Sequence, residues 1–110
     1  METLDAFALL DMRIGRIVRA ERFPEARKPA YKLWIDFGDR LGVKTSSAQI
    51  TERYRPEELL GRLVVAVVNF PPKRIAGFVS EVLVLGVPDD RGAVVLLRPD
   101  ADVPLGAGVF

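Results

Sequence analysis

Apolar and polar positions change period several times along this chain. From Met12 to Phe23 (MRIGRIVRAERF), apolar residues alternate roughly with basic ones, the period of a strand with one face in a core. Gly15 inside that run predicts a bulge or a sharp coil. Ahead of it, Thr3 is placed to cap a short helix from Leu4 to about Leu10, with Phe7 on its apolar face. Pro24–Pro29 reads as a polar loop, Tyr31–Phe37 (YKLWIDF) as a second strand, and GDRLG as a turn. Val43–Ala48 (VKTSSA) is a third strand, short and polar, and Gln49–Tyr54 predicts one helical turn. Pro56–Leu60 predicts a helix, with proline at its first position, two glutamates in its first turn and Gly61 as its stop. Arg62–Asn69 is a fourth strand buried on both faces, Val79–Gly86 a fifth, and Ala93–Leu97 a sixth beyond the PDDRG turn. The tail ADVPLGAGVF is extended and ends on an apolar residue.

Five or six short strands, with a short helix between the third and fourth, give the order of an all-β OB-fold: a five-stranded barrel with a coiled first strand and a helix plugging one end. A small SH3-like barrel is the competing arrangement, and the position of the helix favours the OB order. The βαβ alternation of a parallel sheet is missing. The 110 residues suit a single domain, 1–110.

Composition narrows the chemistry. Apolar residues make up 49% and charged residues 28% of the chain, the balance of a soluble protein with a core. No apolar run approaches the ~20 residues of a membrane-spanning helix. The N-terminus METLDAFALLD carries acids where a secretory signal would carry bases, so a cytoplasmic location is expected. The sequence holds no cysteine and no histidine, which closes disulfides, thiolate sites, serine triads and the common zinc sites. Its carboxylates sit at a helix start or in turns, without the pairing of a general acid and base. Neither an enzyme nor a cofactor or metal site is expected. The net charge is only +1, although residues 1–55 hold 11 Lys/Arg against 8 Asp/Glu. Any nucleic-acid site must therefore be a local patch rather than a uniformly basic surface.

The stretch AVVNFPPKRIAGFVSEVLVLG, residues 66–86, carries the densest candidate chemistry. Two apolar runs flank about a dozen residues where a plain hairpin needs two or three. At their start stands Asn69, the sequence's only asparagine. It reads either as a residue tolerating a left-handed turn or as a ligand contact. Lys73 and Arg74 offer adjacent cations for phosphate. Trp34, Phe70 and Phe78 read as core filling or, if exposed, as stacking platforms or an apolar peptide site. Arg13, Arg16 and Arg19 form a basic comb, in which Arg13 reads as structural, paired with Asp11 or Asp36.

Several motifs together resemble the tRNA-binding domain found at the ends of some methionyl- and phenylalanyl-tRNA synthetases and as free-standing bacterial dimers. They are Asp11-Met12-Arg13-Ile14-Gly15-Arg16-Ile17, Phe23-Pro24-Glu25-Ala26, Asp36-Phe37-Gly38, Tyr54-Arg55-Pro56-Glu57-Glu58-Leu59-Leu60-Gly61, and Asn69-Phe70-Pro71-Pro72-Lys73-Arg74-Ile75-Ala76-Gly77-Phe78-Val79-Ser80. Ser46-Ser47-Ala48-Gln49-Ile50-Thr51, Asn69-Phe70-Pro71-Pro72 and Ser80-Glu81-Val82-Leu83-Val84-Leu85-Gly86 are similar to the CsaA branch, cytoplasmic homodimers described as export-related chaperones.

The resemblance implies an OB barrel of the tRNA-binding type whose Asn69–Ser80 connection lies on the ligand face. It implies an RNA site of Lys32, Lys44, Ser46, Ser47, Asn69, Lys73, Arg74 and Ser80, with Lys32 and Lys44 flanking one face. Trp34, Phe70 and Phe78 are the candidate polypeptide contacts. The implied partners are a second copy of the chain, tRNA or another structured RNA, unfolded or pre-export polypeptides, and the export machinery. A purely tRNA-binding role without chaperone activity is the alternative. Apolar Phe7, Leu9, Leu10, Leu105, Val109 and Phe110 at the two ends are the expected dimer contacts.

Overall fold

The computed structural model describes residues 1–110. Its elements are α1 (Thr3–Leu9), β1 (Met12–Arg22), β2 (Tyr31–Asp36), β3 (Val43–Ala48), α2 (Pro56–Leu59), β4 (Leu63–Val67), β5 (Lys73–Ile75), β6 (Phe78–Ser80), β7 (Leu83–Val84), β8 (Gly86–Pro88) and β9 (Val94–Leu96). Five strands form one antiparallel sheet in the order β3-β2-β1-β4-β7, and β5-β6 and β8-β9 are separate hairpins.

The 11-residue β1 is long enough to serve two partners. Its first half pairs with β4, from Met12 opposite Val67 to Arg16 opposite Leu63. Its second half pairs with β2, from Arg16 opposite Asp36 to Arg22 opposite Tyr31. The register shifts between Ile17 and Arg19, so the extra residue is Val18. Such a bulge bends and twists a strand, which lets the sheet wrap toward closure. Closure comes from the end of β6 and the residue after it: the Glu81 N–H donates to the Thr45 carbonyl at 2.8 Å, and the Ser47 N–H donates to Ser80 Oγ at 2.9 Å. The result is the expected nearly closed OB-type barrel.

Ile17, Leu33, Ile35, Phe37, Leu59 and Val64 are fully buried inside it. The helix α2 delivers Pro56 and Leu59 to this core. A capping box stabilises its start, with the Arg55 N–H donating to Glu58 Oε1 at 2.8 Å.

Several local expectations change. Gly15 is not the bulge. A Cβ there would lie 2.5 Å from Ile35 Cγ2 and 2.7 Å from Phe37 Cε1, so glycine is required by packing. Thr3 is the first residue of α1 rather than its cap; Glu2 holds the cap position without a side-chain bond. The segment after β3 makes only a turn at Thr51–Arg53, not a helical one.

The run Val79–Gly86 is not one strand. Phe78–Ser80 pairs with β5, Leu83–Val84 with β4, and Gly86–Pro88 with β9. Three partners in so short a run leave no period for a sequence pattern to display. The long connection is itself a hairpin, turned by Ala76 (φ 46°) and Gly77 (φ 83°), the double positive φ of a two-residue loop. At the β8–β9 turn, Asp89 Oδ1 accepts from the N–H groups of Arg91 and Ala93, and Oδ2 accepts from Arg53. The Arg91 N–H, then the Arg53 guanidinium and the Ala93 N–H, hold its carboxyl below the ordinary range.

Gly15→Ala therefore overfills the core. It should lower stability by about 1–3 kcal/mol, read as an earlier midpoint in urea unfolding. An unchanged midpoint would show that Ile35 and Phe37 yield freely.

Candidate nucleic-acid interface

Alternation along β2 sends Tyr31, Leu33 and Ile35 into the core and leaves Lys32, Trp34 and Asp36 on the outer face. Cross-strand register then assembles a surface. Lys32 lies between Glu21 of β1 and Ser47 of β3, and Trp34 lies between Arg19 and Thr45. The β5–β6 hairpin folds over this face. The Phe78 ring meets Trp34 at 5.7 Å and Phe23 at 5.6 Å, both edge to face. The Thr45 hydroxyl donates to the Val79 carbonyl at 2.6 Å and fixes the hairpin to β3.

Two cations rest on these rings. The Arg19 guanidinium lies 4.3 Å from the Trp34 centroid, and Lys32 Nζ lies 4.8 Å from the Phe23 ring and 5.4 Å from the Phe78 ring. Each such contact is worth about 0.5–1 kcal/mol at an exposed site. That is enough to bias where a long side chain points. Arg19 is also paired with Glu21. The aromatic cluster thus presents cations rather than bare ring faces. Trp34 is neither a core residue nor an open platform; it is half-buried beneath Arg19.

The other expected site residues divide. Lys73 and Arg74 are exposed and form no ion pair, but they are neighbours on a strand and point to opposite faces of the hairpin. Lys73 sits opposite Ser80, on the hairpin face that carries Phe78; Arg74 sits opposite Val79. Ser80 spends its hydroxyl oxygen on the Ser47 N–H in barrel closure. Ser46 does not reach the surface. It is 1% exposed, opposite the core residue Leu33. Lys44 does not share the face of Lys32, because it pairs in register with Ile35 whereas Lys32 pairs with Ser47. Its ammonium lies 4.0 Å from Glu81 Oε2, while Glu81 Oε1 accepts from the Thr45 N–H at 3.1 Å. Phe70 is exposed beside Asn69 and makes none of the ring contacts.

Asn69 is not the left-handed turn residue that its position suggested, and its side chain is engaged in the fold. Its φ is not positive. Its Oδ1 accepts from the Asp11 N–H at 2.9 Å, and its Nδ2 donates to the Leu9 carbonyl at 2.8 Å. An amide is the group that supplies an acceptor and a donor together. Here it clips the end of α1 and the start of β1 to the end of β4. Arg13 is structural as expected, with Nε 2.6 Å from Asp11 Oδ1 and Nη1 donating to the Gly106 carbonyl at 3.0 Å. Arg19, Glu21 and Phe23 were not assigned to the site from sequence. The signal was present in their alternation, but the bulge at Val18 decides which face Arg19 takes.

A family model described as a putative tRNA binding domain matches residues 12–108. The chaperone CsaA of Bacillus anthracis str. Ames is 57% identical in sequence and superposes with a TM-score of 0.92, covering 100% of this chain and 99% of that one. The CsaA chaperone protein of Picrophilus torridus is 52% identical, with a TM-score of 0.92 and full coverage of both chains. The methionine–tRNA ligase of Pyrococcus abyssi is 44% identical over 105 residues, which are 96% of this chain and 14% of the ligase. The chain thus spans a small fraction of the curated relatives it matches.

Asn69→Ala removes both bonds of the clip and should cost about 1–2 kcal/mol of stability. Asn69→Asp keeps the acceptor, loses the donor and adds a charge near Asp11, so it should unfold at lower temperature than wild type as well. Thermal unfolding of the three proteins checks this; equal midpoints would remove the clip from the account.

Proposed function

The chain belongs to the family of putative tRNA-binding domains, and from that premise we propose that residues 1–110 form one CsaA-like, non-enzymatic domain that binds tRNA or another structured RNA. The observation that carries the reading is the set of cations held on the aromatic cluster, Arg19 over Trp34 and Lys32 over Phe23 and Phe78. A chain of net charge +1 gains little from diffuse attraction to RNA. Pre-positioned cations on a shaped surface suit recognition of backbone and fold, the mode by which structured RNA is commonly read. In this reading Lys32, Arg19 and Lys73 meet phosphates on the outer face, Arg74 reaches from the far side of the hairpin, and the Ser47 hydroxyl is placed for a 2′-hydroxyl.

Similarity to two structures described as CsaA chaperones supports a second activity, the holding of unfolded polypeptides; we extend this proposal to pre-export polypeptides passed to export machinery in the cytoplasm. A specific observation favours apolar binding. The helix α1 buries none of its residues, and Leu4, Phe7, Leu9, Leu10, Phe70, Val109 and Phe110 are exposed. Backbone bonds bring the two ends of the chain together, with the Val109 N–H donating to the Met12 carbonyl at 2.9 Å. This joined apolar edge is proposed as the homodimer contact, leaving client polypeptide to bind apolar surface beside it.

Lys32→Ala with Lys73→Ala should weaken tRNA binding. It should also flatten the dependence of log affinity on log salt by about 0.7–0.9 for each phosphate that the variant no longer neutralises. Titrations with tRNA at two salt concentrations read this, and an unchanged slope places the RNA elsewhere. An unfolded client held by apolar surface should bind equally at both salts.

Sedimentation equilibrium at micromolar concentration should give a dimer, shifted to monomer by Phe110→Asp with Leu9→Asp. A wild-type monomer would overturn the dimer proposal.

A further inference from the structure

A surface hollow of about 540 Å³ lies across the bulge from the aromatic cluster, and three arginines line it: Arg16, Arg62 and Arg98. They come from β1, the start of β4 and the tail. Nothing in sequence spacing joins them. That volume falls within the range of small-molecule sites.

None of the three forms an ion pair with a carboxylate of the chain. Asp36, directly across from Arg16 in the sheet, instead accepts the Gly38 N–H at 2.9 Å. Asp100 and Asp102 also line the cavity, on the exposed tail, yet neither pairs with an arginine.

Two of the arginines are held in place. Arg16 Nη1 donates to the Gly61 carbonyl at 2.8 Å. The Arg62 guanidinium lies 5.0 Å from the Tyr54 centroid, and the Tyr54 hydroxyl is itself fixed by the Leu96 N–H at 3.0 Å. The backbone beneath is tied to β1, with the Gly61 N–H donating to the Ile17 carbonyl at 2.8 Å and the Ile17 N–H to the Arg62 carbonyl at 2.9 Å. Arg62 Nε is a buried polar atom with no hydrogen-bond partner in the protein. The hollow sets three guanidinium groups against two carboxylates that pair with none of them, so guanidinium donors remain for an anion.

We propose that this cavity is a phosphate site. Guanidinium groups bind phosphate oxygens in bidentate fashion, and phosphate is the anion that every nucleotide carries. The source of the phosphate follows from the register. Arg16 lies opposite Asp36 and Arg19 opposite Trp34, so the two arginines occupy successive outward positions on either side of the bulge, about 7 Å apart along the strand. The cavity therefore continues the surface assigned to RNA, and the phosphate is a backbone phosphate of the same RNA strand. Only this last step rests on the RNA-binding reading. Asp100 and Asp102 offset part of the arginine charge, which suits the single negative charge of one backbone phosphate.

The test uses the whole protein in two arms. In the first, inorganic phosphate alone is titrated while the arginine Nε–H signals are followed by NMR. In the second, tRNA affinity and its salt dependence are measured for wild type, Arg98→Ser, and Asp100→Asn with Asp102→Asn. These three positions lie on the tail outside the core, so the variants should fold as wild type does. Phosphate should shift the Arg62 and Arg98 signals, and tRNA should displace it. Arg98→Ser should weaken tRNA binding about 3–10-fold at low salt and flatten the salt slope, while the double asparagine variant should tighten binding. Phosphate shifts that tRNA cannot displace would keep the site and assign it to a free phosphorylated ligand. A wild type that fails to bind tRNA would overturn the RNA reading and leave the phosphate arm to decide the site. No shift with phosphate, together with unchanged tRNA binding in both variants, would overturn the proposal.

Discussion

The double duty of β1 is the constraint on which the architecture depends. One strand pairs with β4 from Met12 to Arg16 and with β2 from Arg16 onward. A flat strand cannot serve both partners and still let β3 meet the chain after β6. The bulge at Val18 supplies the bend, and Gly15 supplies the closeness, because Ile35 and Phe37 occupy the space a side chain would take. Everything on the outer face inherits its direction from that bend. Arg19 faces outward over Trp34 only because the register has shifted before it.

That face shows how a nearly neutral chain gathers positive potential. The cations are few, and burial of their stems against rings costs less than burial of their charges. Arg19 and Lys32 are directed by Trp34, Phe23 and Phe78, and those rings are brought together by three separate segments: the end of β1, the middle of β2 and the β5–β6 hairpin. The hairpin is in turn held by Thr45 and by the Ser47–Ser80 bond. Barrel closure and construction of the surface are one event. A change at Ser80 would act on both.

Polar residues in the connection have structural duties as well. Asn69 joins α1, β1 and β4, and Glu81 ties β3 to the strand that closes on it. An exposed apolar helix is thereby fixed beside the chain terminus instead of hanging free. The proposed dimer contact depends on that fixation, since a mobile helix would lose more conformational entropy on association.

The sequence by itself determined the barrel. Alternation in Met12–Phe23, Tyr31–Phe37 and Val43–Ala48, the proline-led helix before Gly61, and the apolar run of β4 are local signals, because the period of a half-buried strand and the start of a helix are written in neighbouring residues. It also carried the structural role of Arg13 through the nearby Asp11. Tertiary structure decided which side of a strand each polar residue faces. Ser46 looked like surface and is core; Lys44 and Lys32 looked like partners and lie on opposite faces. A single unmarked residue at Val18 sets the register beyond it, and one-residue shifts exchange the two faces of a strand. The division of Val79–Gly86 among three partners, the clip made by Asn69, and the meeting of Arg16, Arg62 and Arg98 all join segments distant in sequence. Their energies arise only after the chain has closed on itself, and no local period records them.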